Sequence, residues 1–195
     1  MAPSTLSPAA PFHDEGWIRR LEPLLAAGRA AGADLVEVFL ERTDHIGVLA
    51  EQDTITSVSP SFGMGAGLRV FRGGRDGFVS TNDLSETALH AALDEALAML
   101  ELRRSAPAGH GSFAGLSGLQ DFAVAKQPWL ESCPDLTEAT AKLLRGTHQL
   151  ERHGSHLQAR RGSYARNWQE VLVVASDGTH ARDIRLHQTL GLSVL

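Results

Sequence analysis

The sequence predicts an α+β fold, a mostly antiparallel sheet with helices packed on it. Three observations predict it. Apolar residues recur at helical spacing in Trp17–Ala31, Leu89–Leu100 and Leu136–Leu150, while several stretches alternate with period two. Glycine-rich or Asp-Gly turns join neighbouring alternating stretches, as in antiparallel hairpins. At 195 residues, 43% of them apolar and 21% charged, the chain is long enough to bury a core.

Taken in order, residues 1–12 read as a flexible arm, since Pro3, Pro8 and Pro11 remove backbone donors. Trp17, Ile18, Leu21, Leu24 and Leu25 mark a first helix, which Pro23 either kinks or divides and Gly32 ends. Strands follow over 34–41, 46–50, 54–58, 65–71 and 77–81, with Arg72-Gly73-Gly74-Arg75 as a tight hairpin turn. Asp83-Leu84-Ser85-Glu86 has the form of a capping box with Asp83 at the cap, opening a helix through Leu89, Leu93, Ala96, Leu97 and Leu100. Residues 105–134, punctuated by Gly and Pro, read as an irregular connection with one short strand around 121–125. A second capping box, Asp135 to Glu138, opens a helix to about Leu150. Strands near 156–166 and 169–175 lead to Ser176-Asp177-Gly178-Thr179, where Asp-Gly favours a two-residue type I′ loop. The last strand runs over about 181–195, alternating Ile184, Leu186 and Leu190, and it suggests a natural chain that continues.

Composition narrows the function. The net charge of −5 argues against wholesale nucleic-acid coating. The apolar runs are too short to span a bilayer, and the first residues lack a signal peptide's basic start, so the expected location is cytoplasmic. The lone Cys133 excludes an internal disulfide; beside Pro134 and with no His nearby, it reads as a packed or idle thiol.

Each candidate site is incomplete. Gly63-Met64-Gly65-Ala66-Gly67 has Leu68 where a dinucleotide loop needs its third glycine, and a strand follows rather than a helix. Its glycines read as close backbone approaches within a sheet. His148 and His153, with His156 beyond, resemble a helical metal motif, but Gln149 cannot act as a base. Glu151 is expected on a different helical face, and a five-residue separation makes the two imidazoles diverge. Lys142, Arg145, Arg152, Arg160, Arg161 and Arg166, with Tyr164 and Trp168 among them, could contact single-stranded nucleic acid or form a solvated face. Asp177, Asp183, Arg182 and Arg185 read as turn and strand-surface charges. No nucleophile elbow occurs.

Three passages in order resemble the N-terminal half of the TldD/PmbA family, also called modulators of DNA gyrase. They are Gly32-Ala33-Asp34-Leu35-Val36-Glu37-Val38; Gly65-Ala66-Gly67-Leu68-Arg69-Val70 with Gly77-Phe78-Val79-Ser80-Thr81; and Ser176-Asp177-Gly178-Thr179 followed by Ala181-x-Asp183-Ile184-Arg185, nearer the TldD branch. The resemblance implies one N-terminal α+β domain over 13–195, in a zinc metallopeptidase whose metal-binding C-terminal domain lies outside this chain. It implies a TldE/PmbA-like paralogue as partner, in a heterodimer or homodimer, and unfolded peptide as substrate. The family's His-Glu-x-x-x-His zinc motif is absent here, since no His among the 195 residues is followed by Glu. No catalytic, cofactor-binding or metal residue therefore carries over, and the chain alone is expected to be inactive. The motif glycines and Arg69 carry over only as fold-forming positions. Two other readings stand beside this one: a non-catalytic binding partner, and a nucleic-acid or gyrase-associated regulator using the basic stretch.

Overall fold

The computed structural model describes residues 12, 15–104, 120–121, 135–153 and 157–195. The elements are α1 (Glu15–Ala30), β1 (Leu35–Glu51), β2 (Thr54–Arg72), β3 (Arg75–Thr81), α2 (Glu86–Ala98), β4 (Gln120–Asp121), α3 (Leu136–Leu150), β5 (Arg160–Ala175) and β6 (His180–Val194). The strands form a sheet in the order β3-β2-β1-β5-β6-β4. The α+β class is as the sequence predicts.

The hydrogen bonds fix how the strands run. β3 pairs antiparallel with β2 from Ala66↔Thr81 to Arg72↔Arg75. Val36 accepts from the Ser176 N–H at 2.8 Å, while Gln52 donates to the Arg160 carbonyl at 2.9 Å. Partner numbers fall along β5 as they rise along β1, so these two are also antiparallel. β4 is parallel to its neighbour, meeting β6 at Ala181 and Arg182.

Chain contacts divide the protein into two compact units. The first comprises residues 1–42, 64–122 and 170–183. In it α1 turns Leu21, Leu24 and Leu25 onto Val36, Val38 and Leu40 of β1 and Leu172 and Val174 of β5, all fully or almost fully buried. Pro23 lies inside a single α1 rather than dividing it. The helix ends as Gly32 takes φ +97°, its N–H bonding Arg29 O at 2.9 Å while Ala33 N–H reaches back to Gly28 O at 3.2 Å. This is the Schellman arrangement that glycine makes inexpensive. Leu89, Ala92, Leu93, Ala96 and Leu97 form the buried face of α2. α2 is capped by Ser85, whose hydroxyl accepts from Ala88 N–H at 3.3 Å. Asp83, expected at the cap, instead accepts from Ser85 N–H at 2.8 Å, because the helix begins two residues later.

The second unit comprises residues 43–63, 123–169 and 184–195. Its core is Val48 and Ala50 of β1, Ala139 and Leu143 of α3, and Tyr164 of β5, with Ile55, Leu136 and Leu144 packed against them. Asp135 caps α3 as expected, accepting from Glu138 N–H at 2.6 Å. α3 lies close on β5: a side chain at Gly162 would come within 2.7 Å of Leu143 Cδ1 and 2.9 Å of Thr147 Cγ2.

Three expectations about strands and turns change. The predicted pairs 34–41 with 46–50, 54–58 with 65–71, and 156–166 with 169–175 merge into the single strands β1, β2 and β5. Pro60 interrupts β2 without ending it, since β3 covers only Ala66–Arg72 and Pro60 lies on an edge, where a missing N–H is tolerated. At 176–179 only Gly178 has positive φ, whereas a type I′ loop needs it at both central residues, so the turn is a longer one. By contrast Gly73 and Gly74 both have positive φ, as their hairpin requires. The expected arm and connection fall largely outside the described residues. Phe12 is described, and it is buried.

Candidate functional site

The glycines at 63–67 lie within β2 and serve packing. A Cβ at Gly65 would sit 3.0 Å from the Thr81 carbonyl oxygen, and one at Gly67 2.9 Å from the Phe78 ring. Gly63 would meet Thr43 Oγ1 at 2.8 Å. Each is a place where a second strand comes too close for a side chain. Arg69, also on β2, pairs with Asp76 of β3 at 3.0 Å and lies over the Phe71 ring, both charges being about half exposed. Such a pair contributes at most about 1 kcal/mol.

His148 stands at the last turn of α3. Its Nδ1 lies 3.6 Å from Asp53 in the β1–β2 turn and 3.4 Å from Glu151. Glu151 therefore stands beside His148, not on a different face, because i,i+3 residues are neighbours on a helix. His156 lies outside the described residues. Asp53, His148 and Glu151 form a set of metal-competent donors, all exposed. The set does not fit a hydrolytic zinc. It offers one imidazole, and the Arg160 guanidinium already stands 3.6 Å from both carboxylates, where it opposes a divalent cation. Neither carboxylate is left to activate water.

Three of the six basic residues in the basic stretch pair with acids. Lys142 pairs with Glu138 at 2.7 Å, Arg160 with Asp53 and Glu151, and Arg161 with Glu51 at 2.9 Å. Tyr164 is buried in the core beneath α3, so its ring cannot stack on a base. Cys133 lies outside the described residues.

Arg182 is the site residue that sequence reasoning misplaced. It is 6% exposed, not a surface charge, and its Nε donates to Glu170 Oε1 at 2.7 Å. Glu170 is fully buried, and its Oε1 also accepts from Phe12 N–H at 3.0 Å while Oε2 has no hydrogen-bond partner. The signal was available: Ile184 faces inward, and period two puts Arg182 and His180 on the same face. His180 is likewise buried, and that burial holds its imidazole below the ordinary value of 6.5. The neutral form is thus the folded form at pH 7. As pH falls through 6.5 the unfolded chain takes up a proton that the folded chain resists, so stability should fall with acidification. His180→Leu is expected to flatten that part of the stability–pH curve, read by denaturant melts between pH 7 and pH 5.

The second unit also exposes backbone. β6 is bonded on its inner side as far as Leu195, whose N–H and carbonyl pair with Ala159 and Gln158. On its outer side β4 reaches only Ala181 and Arg182, so among the described residues the edge from Ile184 to Val194 has no strand beside it. Leu190, Leu192 and Val194 are 48%, 42% and 50% exposed along that edge. A long apolar edge of this kind is a template for another strand. None of the described helices is long and apolar enough to cross a membrane.

Residues 36–100 match the family described as PmbA/TldA metallopeptidase domain 1. That stretch, a third of the chain, is similar to a PmbA/TldD first domain. Similar solved structures support its fold. TldE from Thermococcus kodakarensis is 18% identical, with a TM-score of 0.64 over 90% of this chain and 39% of its own. A candidate modulator of DNA gyrase from Thermotoga maritima is 12% identical, with a TM-score of 0.65 over 89% of this chain and 38% of its own. One from Bacteroides thetaiotaomicron is 14% identical, with a TM-score of 0.63 over 93% and 41%. This chain thus spans about two-fifths of the length of the structures it matches. No curated protein matches it. Against the PmbA/TldD pattern, Gly65, Gly67 and Gly77 of this domain are the positions where a side chain would collide, as the fold-forming reading expects.

Proposed function

We propose that this chain is the N-terminal, non-catalytic part of a cytoplasmic TldD-like zinc metallopeptidase, walling a chamber shared with a TldE-like partner and holding unfolded peptide in extended form. The family description names a metallopeptidase, and the fold resembles that of a TldE protein. The observation that carries the reading is the outer edge of β6 beyond Arg182, beside which no described strand lies. An extended peptide can add there through main-chain hydrogen bonds, which are indifferent to side-chain identity. The β2 edge over 54–63 is less suited, because Pro60 withdraws a donor. Zinc and the hydrolytic base would come from residues outside these 195, since the sequence lacks His-Glu-x-x-x-His and the Asp53, His148, Glu151 set does not fit the metal. Pairing of Lys142, Arg160 and Arg161 with acids favours peptide over nucleic acid as the ligand.

The test compares a labelled unfolded casein peptide with a copy N-methylated at alternate residues. The unmodified peptide should slow hydrogen exchange at amides within 184–194, and the N-methylated one should not. Neither should be cleaved by this chain with zinc present. Equal binding of both peptides, or zinc-dependent cleavage by the chain itself, overturns the reading.

A further inference from the structure

We propose that the outer edge of β6 selects extended peptides in which apolar residues alternate with acidic ones. The inference rests on the reading above that this edge takes peptide, and it names the class of peptide taken. Main-chain pairing attracts every sequence alike, so a preference comes from the side chains that flank the edge.

Those side chains differ by face. A Cβ at Gly146 of α3 would sit 3.0 Å from Leu192 Cδ1, so Leu192 points to the α3 side of the sheet. Period two puts Ile184, Leu186, Leu190 and Val194 on that side with it. A Cβ at Gly191 would meet Ser163 Oγ at 2.8 Å, which places the odd-numbered residues of β6 on the other side. Cover thins along the apolar side: Ile184 is 8% exposed, whereas Leu190, Leu192 and Val194 are close to half exposed. The cause is the position of α3, whose Leu143 and Thr147 rest on Gly162 of β5 while Gly146 meets β6. A strand added outside β6 brings every second side chain to about 4.5–5.5 Å from these apolar residues and closes the face that α3 leaves open.

Charge sets the residues in between. From Ile184 to Leu195 the strand carries Arg185 and His187 and no acid, and both are exposed on the side away from α3. The flank of α3 adds to this. Successive helical residues turn by about 100°, so the positions that follow Gly146 in the direction away from β5 are Lys142, Gln149 and Arg145. Lys142 is bonded to Glu138 at 2.7 Å, while Arg145 has no acidic partner among the described residues. The intervening side chains of an added strand therefore meet Arg185 and His187, where glutamate or aspartate is attracted and lysine repelled.

The experiment measures binding of the full 195-residue chain to fluorescent Val-Glu-Leu-Glu-Val-Glu-Leu, to its block rearrangement Val-Leu-Val-Leu-Glu-Glu-Glu, and to Val-Lys-Leu-Lys-Val-Lys-Leu. The first should bind at least tenfold tighter than either of the others and should slow hydrogen exchange over 184–194. Added salt should shrink its advantage over the lysine peptide, and Leu190→Ser should remove most of its advantage over the block peptide. Equal affinity of the three peptides, each protecting 184–194, overturns the inference and leaves the peptide-binding reading standing. Protection of 184–194 by none of them overturns both, and tighter binding of the first with protection elsewhere in the chain overturns the inference as well. The peptide series is run on the parent chain, so the outcome does not depend on how the Leu190 variant folds.

Discussion

Replacing Gly77 by alanine is expected to lower Tm by about 6–12 °C, from a cost of roughly 3 kcal/mol at about 2–4 °C per kcal/mol for a chain of this size. A Cβ on Gly77 would land on the Ala96 carbonyl oxygen, inside van der Waals contact, with Ala96 C and Met99 Cβ each at 3.2 Å. The obstacle is the α2 backbone, so no rotamer relieves it. α2 must lift from β3, and Leu93 and Leu97 must lose part of their burial with it. Gly47→Ala is the control. Its nearest neighbours are His45 Nε2 at 3.6 Å and the Ser59 carbonyl at 4.0 Å, ordinary contacts in a strand, so the change should be close to neutral. Thermal melts of the two variants beside the parent chain check both values, and equal shifts would refute the packing account.

The second large effect is expected from Glu170→Ala, at about 3–5 kcal/mol, because it removes the carboxylate that neutralises buried Arg182. The double change Glu170→Leu with Arg182→Met should cost much less than the sum of the single changes. A desolvated pair is repaid by its own attraction only with difficulty, and an apolar replacement of similar size avoids the penalty. Urea titration of the two single variants and the double variant completes a cycle. Additive losses would mean that Glu170 and Arg182 are not coupled.

Sequence patterning located the three described α-helices, the Gly73-Gly74 turn and the Asp135 cap because each rests on local chemistry. It divided β1 because inward-facing apolar residues lapse between Leu40 and Val48, where the strand passes from one core to the other. That gap reads as a loop in sequence, yet a strand needs only its backbone partners to continue. Asp83 was misplaced by two residues because Ser85 is an equally good cap, and local composition does not rank them. The candidate site was less legible. Asp53 and Glu51, which pair with Arg160 and Arg161, lie over a hundred positions away, so a stretch that reads as a basic patch is paired in part by acids the local sequence does not show. Arg182 was misread by its charge, although its alternation with Ile184 placed it inside.

The unbroken run of β1 has a consequence for how the chain can change. Its inward residues keep one parity throughout: Val36, Val38 and Leu40 in the first core, Val48 and Ala50 in the second. One residue inserted between Leu40 and Gly47 would leave the first set in place and turn the second set outward, putting Gly47 and Leu49 where Val48 and Ala50 now pack. Length variation in this strand is therefore confined to pairs of residues, or to single residues absorbed by a bulge, while the turns at 52–53 and 176–179 remain free to lengthen by any number.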